Sequence, residues 1–182
     1  MPRVPPIAGK DDVPADHHHV VDDVLGVFGR IRGPFSVLLY SPEMASKLLP
    51  MVPFNREGTI VEPTPRFAGI LAAVREREGA YVWAAQVAAA QRAGVPQAMI
   101  DLLRAKGDPA ALPEDERDVV NYIRQLMRTN RTDQAVFDRL KERHGVKWLV
   151  ELTAIANYYA MLCGVVNAFE VAVPEDGDRL PA

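Results

Sequence analysis

Apolar residues recur at helical spacing along most of the chain, and no alternating strand pattern persists. The first run follows Asp16, a suitable helix cap, and ends at Gly33–Pro34. Its apolar positions are Val20, Val21, Val24, Leu25, Phe28 and Ile31. Residues three and four apart share one face of a helix, so this spacing predicts a helix with one buried face. Later runs of the same kind predict an all-α, single-domain helical bundle of about eight helices.

The stretch 65–94 predicts two consecutive helices. The first has an apolar face formed by Phe67, Ile70, Leu71 and Val74. The charged run 75–78 predicts a solvent-exposed helix end. Gly79 then separates this helix from an alanine-rich one that Gly94 closes, because alanine favours helix and glycine interrupts it.

Prolines and polar residues predict most other helix boundaries. Ser41-Pro42 and Thr64-Pro65 each place a capping residue before a proline, and the acidic run after Pro113 begins a helix extending to about Arg128. The remaining predicted segments are a loop from Asn55 to Pro63 and helices from Thr132 to His144–Gly145 and from Lys147 to Phe169.

Two shorter segments are less clearly defined in type or in burial. Phe35–Tyr40 is too short for its pattern to separate strand from helix. The helix after Ser41 is expected to bury one stripe, formed by Met44, Leu48, Leu49, Met51 and Val52.

The proline-rich segment 1–14 predicts an extended N-terminal arm, either docked on a neighbour or loosely held. Residues 15–174 form the predicted helical domain, and 175–182 a polar tail. The 182 residues are 48% hydrophobic and 25% charged, as in soluble globular proteins, with a formal net charge of −3. This charge gives no reason to expect nucleic acid or an anionic membrane as a partner.

The apolar stretch from Trp148 to Phe169 contains Glu151, Asn157 and Asn167, so a buried helix is favoured over a membrane span. The N-terminus lacks the apolar core of a secretory signal, and a cytoplasmic location is expected. Cys163 is the single cysteine, which excludes an intramolecular disulfide and a redox pair of thiols.

Three phrases together resemble the carboxymuconolactone decarboxylase and alkylhydroperoxidase D-like superfamily. They are RGPFSVLLYSPEMASKLLP (32–50), AYVWAAQVAAAQRAGVPQAMIDLLRAKGDPAALPEDERDVVNYIRQL (80–126) and VELTAIANYYAMLCGVVNAFEVAVP (150–174). The resemblance implies an all-α fold with interlocking subunits, usually a homotrimer or homohexamer, with a dimer left open. It also implies a site near a subunit interface, used by some members for lactone decarboxylation and by others for peroxide reduction with paired thiols.

This chain departs from the chemistry that the resemblance implies. The family glutamate falls on Phe67, the two thiols on Gly79 and Val82, and the histidine on Gln86. Only Tyr81 and Trp83 are retained from the Tyr-Glu-Trp phrase. Disulfide-based peroxide reduction needs a thiolate and a resolving thiol, so the sequence predicts no thiol peroxidase activity. An amide such as Gln86 also cannot replace histidine in proton transfer.

The remaining hypothesis is a pocket lined by Phe67, Val82, Trp83 and Gln86, suited to a small apolar or aromatic ligand. Packing in the core or in an interface is the alternative for these residues. Tyr81, Gln86 and Glu78 are candidate catalytic residues, with Glu78 placed back on the helical face of Phe67. Arg66 and Tyr159 are candidate ligand-binding residues, with helix-start exposure and core packing as their alternatives.

No cofactor is implied, and no metal site is predicted. Adjacent histidines at His17–His19 point about 100° apart on a helix and cannot converge on one ion without other ligands. Two functions stay open. One is a carboxymuconolactone decarboxylase-like enzyme with an altered site, acting on a small apolar or cyclic acid or lactone. The other is a non-catalytic oligomer that binds a partner or has a structural role.

Overall fold

A computed structural model describes residues 2–181 of the chain. Regular structure in this range is helical, without a strand, which confirms the all-α prediction. The α-helices are α1 (His18–Phe28), α2 (Phe35–Leu38), α3 (Pro42–Leu48), α4 (Met51–Pro53), α5 (Pro63–Glu76), α6 (Ala80–Arg92), α7 (Gln97–Arg104), α8 (Glu114–Thr129) and α9 (Gln134–Ala168). These helices are distributed over two compact units. The assignment of 15–174 to one domain stays a prediction.

The first unit contains residues 2–59 and Val165–Ala172. Helix α1 ends earlier than expected, because Gly29 adopts a left-handed conformation (φ 70°) and its N–H bonds to the carbonyl oxygen of Leu25. The ambiguous Phe35 segment is helical. Met44 is 53% exposed, so its place in the buried stripe was wrong. A π-helical turn at Phe54–Gly58 occupies part of the predicted loop.

The N-terminal arm packs within this unit. Ile7 is buried, and its N–H donates to the carbonyl oxygen of Ser36 at 2.9 Å. The Tyr40 hydroxyl donates to the carbonyl oxygen of Pro5 at 2.8 Å, and Arg3 pairs with Glu170 at 2.9 Å. Backbone hydrogen bonds and apolar burial therefore hold the arm in place.

The second unit, Ile60–Gly164 with the segment from Val173 onward, is built around α5. Every residue from Pro65 to Arg75 is buried, and α5 contacts α6, α7 and α8. Gly69 permits close packing, because a Cβ added there would lie 2.8 Å from Leu152 Cδ1. The helix begins at Pro63 rather than at the predicted Thr64–Pro65 signal.

Helix α9 is interrupted at Gly145, whose φ of 81° is not helical. The break agrees with the predicted boundary between two helices. By length and composition alone α9 could cross a membrane, but half of its most apolar window is buried inside the protein. A core helix of a soluble protein meets the same criterion, so the absence of a membrane partner stays a prediction.

Candidate functional site

The junction between α5 and α6 positions most of the predicted site residues. Glu78 has a left-handed conformation (φ 50°) and Gly79 caps the start of α6, so the two helices are separated by a short turn. Tyr81, Val82 and Trp83 therefore lie in the first turn of α6, and all three are buried. Gln86, one turn beyond Val82, is partly exposed. The cavity proposed between Phe67, Trp83 and Gln86 stays a prediction.

The single thiol lies against Gly79. A Cβ added to Gly79 would be 2.2 Å from Cys163 Sγ and 2.8 Å from its Cβ, so only glycine fits without a shift. Cys163 is fully buried, and this burial raises the pKa of its thiol to about 12, although the charge of Arg77 acts in the opposite direction. Cys163 in α9 therefore fills space beside one of the two positions that the resemblance assigns to a thiol.

The charged run 75–78 is not a solvent-exposed helix end, so that prediction was wrong for its first two residues. The Arg75 side chain is 10% exposed, and its Nε donates to the carbonyl oxygen of Arg104 at 2.8 Å. Glu76 is 8% exposed and accepts two hydrogen bonds from Arg128, at 2.8 and 2.6 Å. These residues are buried because their charges have partners on other helices.

Burial alone would raise the pKa of Glu76. Its hydrogen bonds from Arg128, together with the positive charges of Arg128, Lys106 and Arg124, more than offset this effect and lower the pKa. Glu76 is therefore an ionised structural group rather than a proton donor near neutral pH.

Glu78 does not share a helical face with Phe67, because α5 ends at Glu76. Its side chain is 54% exposed, and its carboxylate pairs with Arg75 and, at 2.6 Å, with Lys106. Both cations therefore engage the Glu78 carboxylate away from Phe67.

Arg66, Phe67 and Tyr159 are three predicted binding residues that the fold brings together. All three are buried, and the Arg66 guanidinium lies 5.6 Å from the centroid of the Phe67 ring. Burial lowers the pKa of Arg66, and the electrostatic interaction with Tyr159 acts in the opposite direction. Arg66 is thus not an exposed helix-start arginine, the alternative that the sequence favoured.

Asp178 is a site residue that sequence analysis missed. Trp83 is completely buried, and its Nε1 donates to Asp178 Oδ1 at 2.7 Å. Arg104 donates to the same carboxylate through Nε at 3.1 Å and Nη2 at 2.6 Å. These bonds with Asp178 are the largest cause of the raised pKa of Arg104. A buried indole N–H needs an acceptor, and this requirement was the signal in the sequence.

The three adjacent histidines contact different groups. His17 lies 3.2 Å from Glu43, while His18 and His19 contact the backbone oxygens of Val13 and Asp16. Within residues 2–181, no three His, Cys, Asp or Glu side chains are grouped so that they could hold a metal ion.

No protein-family model matches the chain, and no curated protein matches it. A solved structure from Ralstonia eutropha JMP134 is similar over 97% of this chain and 94% of its own, with a TM-score of 0.75 and 15% sequence identity. It is described as the alkylhydroperoxidase AhpD core of an uncharacterized peroxidase-related protein. At this identity the likeness concerns the fold, and the chain has the all-α fold of the alkylhydroperoxidase AhpD core.

Proposed function

We propose that this chain is a non-catalytic, homo-oligomeric AhpD-fold protein with a binding or structural role, and that it does not reduce peroxides with thiols. The observation that carries the proposal is the contact between Gly79 and Cys163. Cys163 is enclosed in the core, and its Sγ leaves no room for a residue larger than glycine at position 79 without a shift.

Thiol-dependent peroxide reduction requires a thiolate that meets the peroxide and a second thiol that resolves the sulfenic acid. A thiol with a pKa of about 12 is almost entirely protonated at neutral pH, and its burial also separates it from solvent. The sequence holds no second cysteine.

The acid-base positions support the same proposal. Gln86 carries an amide, Phe67 an apolar ring, and the Glu78 carboxylate is paired with two cations. The amide and the apolar ring cannot exchange a proton near neutral pH.

Self-association is part of the proposal, as a homotrimer or homohexamer, with a dimer as the smaller alternative. The solvent-exposed side of α9 supports it, because Val146 is 57% and Val150 is 60% exposed, one helical turn apart. Light scattering is expected to show an oligomer of defined size, and a stable monomer would contradict this part.

The peroxidase part is tested by measuring hydrogen peroxide consumption with a dithiol as the recycling reductant. We expect no turnover above the buffer rate, and the same rate for Cys163→Ala. Robust turnover that disappears in Cys163→Ala would overturn the proposal. A circular dichroism spectrum of the variant shows whether it is folded.

The cluster of Arg66, Phe67 and Tyr159 favours a second candidate, an enzyme with an altered site acting on a small apolar or cyclic acid or lactone. The Arg66 guanidinium could hold a carboxylate, and the Tyr159 hydroxyl could donate a hydrogen bond to the same ligand. Carboxylated lactones are the test substrates, with carbon dioxide release and ring opening as readouts. Turnover lost in Tyr159→Phe but retained in Tyr158→Phe would support this candidate. If no lactone is turned over, this enzymatic function is excluded for the lactones tested.

A further inference from the structure

The Asp178 carboxylate lies in a cradle of three hydrogen-bond donors. Trp83 Nε1 and Arg104 Nε both donate to Oδ1, at 2.7 and 3.1 Å, and Arg104 Nη2 donates to Oδ2 at 2.6 Å. A planar guanidinium that presents two N–H groups to the two oxygens of one carboxylate is a strong and specific arrangement. The indole N–H beside it adds a third donor.

The cradle is built from positions that the fold fixes. Trp83 is completely buried in α6, and the carbonyl oxygen of Arg104 accepts a hydrogen bond from the buried Arg75 side chain. Arg104 Nη1 also pairs with Asp101, one turn earlier on α7. The donors therefore do not depend on Asp178 alone for their orientation.

The methyl group of Ala84 lies under the same segment, next to Trp83 in the sequence. A Cβ added to Gly177 would lie 2.8 Å from Ala84 Cβ, so the segment crosses α6 with only glycine backbone between them. Ala84 is 5% exposed in this arrangement. The backbone of Gly177 thus occupies the place where a flat apolar group could contact Ala84.

We propose that Trp83, Arg104 and Ala84 form a binding site for a small aromatic carboxylate, and that Asp178 occupies it as a tethered competitor. The oxygens of the ligand would replace those of Asp178, and its ring would replace Gly177 on Ala84. This inference rests on the proposed binding role and names the class of ligand. Of these three residues, sequence analysis assigned only Trp83 to a site.

The segment around Asp178 is suited to leave the cradle. It follows the last helix, and Arg179 makes its side-chain hydrogen bonds within the segment, to the carbonyl oxygens of Pro174 and Glu175 at 3.3 Å. A group tethered by a short flexible segment competes at an effective concentration on the order of millimolar. Competition of this kind lowers the apparent affinity for a free ligand without abolishing binding.

The test is isothermal titration calorimetry with benzoate, comparing the unmodified full chain with the variants Asp178→Ala and Asp176→Ala. Asp176 is an exposed acid in the same segment, so its replacement makes the same change in charge. We expect Asp178→Ala to bind benzoate at least about tenfold more tightly than the full chain, because the tethered competitor is gone. Asp176→Ala is expected to match the full chain, and benzyl alcohol, which lacks the carboxylate, to bind Asp178→Ala at least about tenfold more weakly than benzoate does.

A second variant is designed to displace the segment while keeping the Asp178 carboxylate. Gly177→Val places a side chain against Ala84 and is expected to displace the segment, again strengthening benzoate binding. In the Asp178→Ala background, Arg104→Gln is expected to remove the gain. Equal affinities for the full chain, Asp178→Ala and Gly177→Val would overturn the inference, as would binding that survives Arg104→Gln. The peroxide assay does not involve Asp178, so the two proposals can fail separately.

Discussion

Two segments from the C-terminal part of the chain reach the start of α6 and contact it in different ways. Cys163, within α9, meets Gly79 through a tight apolar contact that leaves no room for a Cβ. The segment 173–178 meets Trp83 and Ala84 through one carboxylate and one glycine. The first contact belongs to a helix, whereas the second belongs to a segment without regular structure. Core packing therefore restricts position 79, whereas at position 83 a polar contact covers the side chain, and we propose that a ligand can replace it.

The largest effect is expected when the first contact is disturbed. Gly79→Ala forces Cys163 or its helix to move, and it should lower the free energy of unfolding by about 3 kcal/mol, the upper range for overpacking a core. Urea denaturation measures this change. Cys163→Gly removes both clashing atoms, so the double variant should lose less stability than the sum of the two single variants. Strictly additive losses would show that the contact does not limit position 79.

This contact also shows what the sequence could predict. The periodicity of α5, the break at Gly79 and the buried nature of Cys163 follow from local patterns, because apolar spacing and glycine act within a few residues. The proximity of Cys163 to Gly79 does not, since the two residues are 84 positions apart (163 − 79) and only tertiary packing joins them. The family resemblance marked position 79 as a thiol position but could not show which side chain fills its surroundings.

The burial of charged residues was likewise not predictable from the sequence. Four consecutive charges predicted that Arg75 and Glu76 are solvent-exposed, yet both are buried against Arg104 and Arg128 from later helices. Asp178 was assigned to a polar tail for the same reason. A charged side chain is buried only where partners converge, and those partners are determined by the fold rather than by neighbouring residues.

The second effect distinguishes the two contacts by their dependence on pH. The pKa of Cys163 is raised in the folded protein to about 12, above its ordinary value of 9.0. Its stabilising contribution is therefore complete below pH 9 and decreases as the pH rises toward 12, because the unfolded chain releases the thiol proton first. Between these two pKa values, the free energy of unfolding is expected to fall by about 1.4 kcal/mol more per pH unit than it does in Cys163→Ala. Urea denaturation from about pH 8 to about pH 10.5 measures it, and identical slopes would contradict the enclosed thiol.

The smallest effect is expected at the second contact. Asp178→Asn keeps the shape of the side chain and an acceptor for Trp83 Nε1, but removes the charge that pairs with Arg104. Because the Arg104 and Asp178 side chains are 24% and 25% exposed, solvent screens part of this attraction, and the loss of stability should be about 1 kcal/mol or less. Asp176→Asn is the matched control, with no change expected. A loss for Asp178→Asn as large as that for Gly79→Ala would make the C-terminal segment an integral part of the core. The Asp178 carboxylate would then be too firmly held to give way to a free ligand, and the two contacts at α6 would no longer differ in kind.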